Sequence, residues 1–314
     1  MKKNQIAVNK KALKKRILAR WQLYLWLAIP IIYYLVFKYY PMFGIQLAFK
    51  KYDVRAGIWG SEWIGLENFK RFFNSYYFKR VVTNTLRLSL YSLIVGFPIP
   101  VIFALMLNTV RNQKYKKFAQ MVTFIPHFIS VVVLVGMVFQ IFNPRIGVYG
   151  LIYSAITGAP TAPDIMSKAE AFPHIYIWSG IWQELGWNSV IYIAALAGVD
   201  SELHEAAEID GASRFKRVLY IDLPSIVPTI VMLLILRCGS IMTVGFEKTY
   251  LLQNELNLAL SEVITTYSYK VAFNGASSDF GFSTAIGLFN SVIELILLVT
   301  VNQISRKFSE NSLW

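Results

Sequence analysis

Residues 205–224 read EAAEIDGASRFKRVLYIDLP and form a polar stretch in an otherwise hydrophobic chain. Seven positions within it form three groups: Glu205, Ala206 and Ala207; Gly211; and Ile221, Leu223 and Pro224. Three residues separate the first group from the second, and nine residues separate the second from the third. Small and apolar side chains lie beside glutamates at helical spacing, so we expect residues 202–220 to form a helix–turn–helix. Gly211 permits the turn, and Pro224 suits the first turn of a new helix.

The composition indicates a membrane protein. Hydrophobic residues make up 55% of the 314 residues, charged residues only 16%, and the mean hydropathy is +0.46. Soluble domains carry about 25% charged residues. The formal net charge is +13, but eight of the 31 lysines and arginines lie in residues 1–20, directly before the first apolar run. Such a cluster is typical of a cytoplasmic end that faces anionic membrane lipid, so we expect no nucleic-acid partner.

Six segments are long enough to cross a hydrocarbon core about 30 Å thick. They cover approximately residues 21–48, 85–107, 119–142, 174–199, 224–246 and 283–301. The fourth is the most polar, because it contains Gln183, Glu184 and Asn188. The chain is therefore predicted to be an all-α integral membrane protein with six transmembrane helices.

The distribution of lysine and arginine predicts the orientation, since cytoplasmic loops carry an excess of both. With the N-terminus inside, seventeen of these residues fall in the inner segments and eleven in the longer outer segments. We therefore predict that both termini are cytoplasmic, together with residues 205–224.

The spacing in residues 205–224 resembles the EAA loop by which permease subunits of type I ABC importers dock on their ATPase. Two other stretches resemble carbohydrate-uptake permeases: FKYYPMFG at 37–44 with AFK at 48–50, and WGSEWIGLENF at 59–69. Two more resemble the subgroup that imports oligosaccharides or polysaccharide fragments: NTL at 84–86 with FP at 97–98, and FIPHFIS at 124–130. The resemblance implies the type I importer fold and a multi-pass location in the bacterial plasma membrane.

The resemblance also implies partners and a division of the chain. The expected assembly contains a second, usually different permease, two ATPase subunits, an extracellular solute-binding protein and an oligosaccharide substrate. The predicted divisions are a basic tail at 1–20, a first span with an outer amphipathic segment at 21–82, a transmembrane core at 83–304 and a tail at 305–314. Coupling helices are expected at 200–222 within the core.

No feature of the sequence predicts an enzyme. The chain lacks a G-x-x-x-x-G-K-[ST] phosphate loop, so ATP with magnesium is expected on the partner ATPase and no cofactor in this chain. His127, His174 and His204 are scattered without metal-ligand spacing, which predicts no metal site. No nucleophile, base and orienting group stand out together, so no catalytic residue is predicted.

The fourth and fifth spans contain the candidates for a sugar path. Trp182, Gln183, Trp187 and Asn188 combine ring faces with amide groups, which is the combination that pyranose rings require. The resemblance places sugar contacts in the span before the EAA loop. We therefore predict a path near the midplane, at the interface with the second permease. Simple packing of the two tryptophans is the alternative.

Three charges lie near the centres of predicted spans, namely Glu184, Arg237 and Glu294. An ionised side chain in hydrocarbon costs several kcal/mol unless it is paired or hydrated. We expect Arg237 to pair with Glu184 or Glu294 as a structural link. The alternative is that Arg237 lines the cavity and binds an acidic sugar, because its planar fork matches a carboxylate.

Two other functions remain open from the sequence. The permease could import another polar solute. A channel or ion-coupled carrier that needs no ATPase is the other alternative, but such a protein has no reason to contain an EAA loop.

Overall fold

The computed structural model describes residues 19–273 and 278–308. Most of the basic cluster in residues 1–20 and part of the tail at 305–314 therefore lie outside the described residues. The described residues are mostly helical, and a two-stranded antiparallel ribbon pairs β1 (Lys50–Lys51) with β2 (Glu62–Trp63).

In chain order the helices of the described residues are α1 (Trp21–Tyr34), α2 (Gly57–Gly60), α3 (Glu67–Phe73), α4 (Tyr76–Tyr91), α5 (Pro98–Asn108), α6 (Gln113–Phe124), α7 (Val131–Ile141), α8 (Val148–Thr157), α9 (Ala171–Leu196), α10 (Ser201–Ile209), α11 (Arg214–Arg217), α12 (Leu223–Gly239), α13 (Phe246–Leu252), α14 (Leu258–Ser261), α15 (Ile264–Phe273) and α16 (Phe280–Phe308). Wide helical turns join α4 to α5 at Ser92–Gly96 and α11 to α12 at Val218–Asp222. Each therefore continues as one longer helical stretch.

Four helical stretches within the described residues are long and apolar enough to span a membrane: Trp21–Phe49, Tyr76–Asn108, Arg214–Gly239 and Phe280–Arg306. A fifth candidate is the bent pair Gln113–Phe128 and Val131–Ile141. Helix α9 has 26 residues and is about 39 Å long at 1.5 Å per residue. Its polar residues lower its mean hydropathy, so it is not among these candidates although it is long enough to span a membrane. The count of six spans and the orientation of the termini stay predictions.

The third predicted span, at 119–142, is not one straight helix. Helix α6 ends at Phe124, a 3₁₀ turn covers Ile125–Phe128, and the two halves of the span meet at an angle of 101°. Pro126 has no backbone N–H to continue α6. Ser130 then starts α7, because its Oγ accepts a hydrogen bond from the Val133 amide at 3.3 Å. The expectation of a continuous helix was wrong at this point.

The fifth predicted span, at 224–246, ends early. Helix α12 stops at Gly239, and a new helix begins at Phe246. Arg237 therefore lies in the last turn of α12 and not near the centre of its helix. Its depth near the middle of the membrane stays a prediction.

The segment after the first span is attached to α16. The Asn68 amide donates to the Ala48 and Lys50 carbonyls at 3.0 and 3.2 Å, and the Phe49 ring stacks on Trp63 with 5.5 Å between centroids. A Cβ at Gly281 would come within 2.6 Å of the Lys50 carbonyl oxygen, so α16 passes directly against this segment. The stretches 48–50 and 59–69, singled out in the sequence, thus form one packed unit.

Helix α9 lies at the centre of the bundle, since it packs on α5, α6 and α12. It contributes Phe172 and Ile175 to one buried cluster and Tyr192 and Leu196 to another. Helices α9 and α6 are in close contact at Gly186, because a Cβ there would lie 2.4 Å from the Thr123 carbonyl oxygen on α6. The glycine therefore lets the bent span press against α9.

Candidate substrate cavity and coupling loop

A cavity of about 790 Å³ lies between α9, α12, α13 and the turn that joins α4 to α5. This volume is within the range of roughly 300–1,000 Å³ that ligand sites usually have. Polar and aromatic side chains on its wall include Ser92, Gln183, Glu184, Trp187, Asn188, Arg237, Thr243 and Lys248. The cavity therefore offers both charged groups and ring faces to a polar ligand.

Four of the five residues predicted for a sugar path line this cavity: Gln183, Trp187, Asn188 and Arg237. Trp182 is outside the cavity wall, and its side chain is half exposed. Gln183 is buried and donates its amide to the Ile129 carbonyl at 2.8 Å. That carbonyl lies at the break between α6 and α7, so the Gln183 amide nitrogen helps to hold the break.

The predicted pairing of Arg237 with a membrane glutamate is wrong in this structure. Arg237 donates to Ser92 Oγ at 2.9 Å. Glu184 instead contacts His127 Nδ1 at 2.9 Å, and Glu294 accepts from Thr243 Oγ1 at 2.5 Å and from the Asn290 amide at 3.1 Å. The early end of α12 explains the difference, because it carries Arg237 to the cavity wall and to the α4–α5 turn.

Lys248 is a cavity residue that the sequence did not single out. It is buried, donates to the Tyr176 carbonyl at 2.7 Å, and its ammonium lies 4.8 Å from the centre of the Tyr176 ring. Lys248 follows the predicted end of the fifth span, at 246, and therefore lies outside the spans from which the sugar-path candidates were taken. Only the turn between α12 and α13 brings it back to the cavity.

The coupling loop, residues 200–224, begins with a capped helix. Asp200 caps α10 by accepting from the Glu202 amide at 2.9 Å. The chain leaves α10 through Gly211, whose φ is +74°, and the Ala212 amide bonds the Ala207 carbonyl at 2.8 Å. This closure is a glycine C-cap of the kind that left-handed φ permits.

The second half of the loop differs from the expected separate helix. Helix α11 has only four residues and continues through the wide turn Val218–Asp222 into α12. Pro224 occupies the first turn of α12, where a missing N–H is tolerated. The coupling loop is thus joined to a spanning helix without a flexible connection.

A buried carboxylate attaches the coupling loop to the bundle. Asp222 is almost fully buried, accepts from the Asn108 amide at 3.1 Å and lies 3.2 Å from His204 Nε2. Asn108 ends α5, and His204 lies in the middle of α10. The carboxylate therefore links α10 to the cytoplasmic ends predicted for two spanning stretches.

The two halves of the loop are also linked by Glu208 and Arg217, 2.7 Å apart. The hydrogen bond from Arg217 lowers the pKa of Glu208 below its usual value. Because Glu208 is exposed, this pair contributes little to stability. Its effect is to orient α10 against α11.

The outer face of the coupling loop carries unusually exposed apolar side chains. Ile209 is 87% exposed and Phe215 75%, and Leu203 and Tyr220 are exposed as well. Glu205 and Ala206 lie on the exposed surface, Ala207, Ile221 and Leu223 are half-buried, and Pro224 is exposed. Large apolar side chains exposed in a polar loop are typical of a surface that binds another protein.

Residues 76–310 match the family model described as "Binding-protein-dependent transport system inner membrane component". Protein LplB of Bacillus subtilis (strain 168) is 41% identical over 295 residues, covering 94% of this chain and 91% of that protein. The "Polygalacturonan/rhamnogalacturonan transport system permease protein YteP" of the same strain is 40% identical over 311 residues, covering 98% of this chain and 96% of that protein.

Two solved structures share the fold. One is a bacterial ABC transporter involved in the import of the acidic polysaccharide alginate, with a TM-score of 0.85, 39% identity, and coverage of 94% of this chain and 99% of that chain. The other is a bacterial alginate ABC transporter in complex with an alginate pentasaccharide-bound periplasmic protein. Its TM-score is 0.85, its identity 38%, and it covers 95% of this chain and 99% of that chain.

Proposed function

Since this chain belongs to the family of binding-protein-dependent transport system inner membrane components and is a permease subunit of an ABC importer in the bacterial plasma membrane, we propose that it carries an acidic oligosaccharide through the cavity between α9 and α12. It is a transport component and not an enzyme. The observation that carries the proposal is the position of Arg237 on the cavity wall without a carboxylate partner within 4 Å among the described residues.

The charges around the cavity favour an anionic substrate. Arg237 and Lys248 both line it, against the single carboxylate of Glu184. Glu184 accepts a hydrogen bond from His127 and forms no ion pair within 4 Å with either cation, and two cations against one carboxylate leave the cavity wall with a net positive charge. A guanidinium can bind a carboxylate through two parallel hydrogen bonds, and one of the relatives imports the acidic polysaccharide alginate.

The coupling loop supports a separate ATPase. We propose that the exposed face formed by Leu203, Ile209, Phe215 and Tyr220 inserts into a cleft of the ATPase, with Glu205 meeting a basic group there. The continuous connection from α11 into α12 would carry movement of the ATPase into the span that holds Arg237. ATP and magnesium would bind to the two ATPase subunits.

The remaining partners follow from the family. We propose that a second, different permease completes the translocation path, and that an extracellular solute-binding protein delivers the sugar. Both termini of this chain and the coupling loop would face the cytoplasm.

The substitution Arg237→Gln tests the proposed substrate. The intact importer, with its solute-binding protein, is reconstituted in proteoliposomes, and uptake is measured for an oligouronide and for its neutral methyl ester. The binding protein's affinity for each sugar is measured separately, so that delivery is known. We expect the KM for the oligouronide to rise about tenfold or more, as loss of a charge-assisted bidentate contact predicts, with little change for the ester.

Arg87→Gln is the matched control, because Arg87 lies in a spanning stretch and does not line the cavity. It should leave both KM values unchanged. Equal losses for both sugars, or a lower yield of assembled complex, would instead assign Arg237 a structural role. A wild-type preference for the ester would contradict the acidic substrate.

A further inference from the structure

The break in the third span places His127 against α9. His127 lies in the 3₁₀ turn Ile125–Phe128, between α6 and α7. The turn is fixed on both sides, since Gly186 lets α9 approach the Thr123 backbone and Gln183 holds the Ile129 carbonyl. The position of the His127 ring is therefore set by backbone contacts and not by a flexible loop.

Two side chains of α9 hold the His127 ring. Glu184 Oε2 lies 2.9 Å from His127 Nδ1, and an ionised carboxylate can only accept, so Nδ1 donates in this pair. The ring of Trp187 lies parallel to the imidazole, with 4.3 Å between centroids and 1° between planes. Glu184 and Trp187 are three residues apart on α9 and so share one face of the helix.

The stacked rings border the cavity. Glu184 and Trp187 both line it, and Trp187 remains 51% exposed although His127 covers part of it. An exposed indole on a cavity wall is suited to the apolar C–H face of a pyranose ring.

We infer that Glu184, His127 and Trp187 form a stacked platform that binds one sugar ring of the transported substrate. Trp187 contacts the sugar. His127 supports the indole from behind, and Glu184 orients His127, so both are positioning residues that act through Trp187. The inference rests on the proposed function, because it requires that the cavity carries an oligosaccharide.

The first test removes the contact surface. Trp187→Ala and Trp187→Phe are compared with wild type in proteoliposomes that contain the whole importer, with an oligouronide and the solute-binding protein. Trp187→Ala should raise the KM about tenfold, with a smaller change in kcat, whereas Trp187→Phe should stay within about threefold because it keeps a ring. The yield of assembled complex is measured for each variant.

The second test asks whether Glu184 acts through His127. Glu184→Met keeps the side-chain length but removes the hydrogen-bond acceptor, so it should raise the KM. Glu184→Gln should keep the KM close to that of wild type, because its amide oxygen still accepts from Nδ1. His127→Phe keeps a flat ring on Trp187 without needing the carboxylate. In the His127→Phe background, Glu184→Met should therefore have no further effect on the KM.

Two results would overturn the platform while leaving the proposed function intact. One is normal uptake by Trp187→Ala. The other is an undiminished loss from Glu184→Met in the His127→Phe background, since Glu184 would then contact the sugar itself. A wild-type importer that takes up no oligosaccharide would overturn the proposed function and the platform together.

Discussion

Gly211 shows how one residue shapes the coupling loop. Its φ of +74° is a left-handed conformation that side chains with a Cβ rarely adopt, yet a Cβ placed there would meet nothing within 4 Å. Any effect of a substitution on this chain alone must therefore come from backbone strain and not from a clash. Glycine adopts this φ without strain, and the turn between α10 and α11 therefore depends on a glycine at position 211.

We predict that Gly211→Val abolishes transport while leaving membrane insertion intact. A β-branched residue in this conformation costs about 1–3 kcal/mol, which is enough to open the turn that presents α10. Gly211→Asn is the matched control and should retain more uptake, since asparagine tolerates left-handed backbone. Uptake and retention of the ATPase are measured on the purified complex. A Gly211→Val variant that transports normally with its ATPase bound would contradict the assignment of this loop.

At the same scale, the sequence indicated which residues line the cavity better than it indicated their contacts. Gln183, Trp187, Asn188 and Arg237 were predicted from polar and ring-bearing side chains in apolar spans, and all four line the cavity. The partner of Arg237 was not predictable, because it depends on where α12 ends. Lys248 was missed for the same reason.

The bent span between α6 and α7 is the element that most depends on its neighbour. Pro126 was visible in the sequence, but a proline in a membrane helix can cause a kink or a full break. Which one occurs depends on whether another helix satisfies the freed carbonyls. Here Gln183 of α9 supplies a donor and Gly186 supplies the space, and neither contact can be inferred from the sequence of the span itself.

We predict that Gly186→Ala destabilises the bundle. A Cβ at this position would lie 2.4 Å from the Thr123 carbonyl oxygen and 2.5 Å from its carbonyl carbon, so α6 and α9 would have to separate. Such overpacking costs about 1–3 kcal/mol and should lower both the yield and the apparent Tm of the purified complex. The control is Gly136→Ala on α7, where a Cβ would meet nothing within 4 Å. Equal stability of the two variants would show that the helices do not approach so closely.

At the scale of the whole molecule, composition and the EAA spacing were sufficient to predict the class of protein, the all-α fold and the family. The family match and the two solved structures confirm these predictions. The exposed surfaces explain why the chain is not complete alone. Ala48 is the only buried residue of the Trp21–Phe49 stretch, and the coupling loop exposes large apolar side chains. Lipid and other subunits must cover surfaces of this kind.

The most direct test of the central claim is uptake of a labelled oligouronide by proteoliposomes that contain this chain, the second permease and the two ATPases. We expect uptake only when ATP is on the side of the ATPases and the loaded solute-binding protein is on the other side. Omission of either component should reduce uptake to the level of empty vesicles. Uptake that persists without ATP, or without the ATPases, would contradict the account and identify a channel or secondary carrier instead.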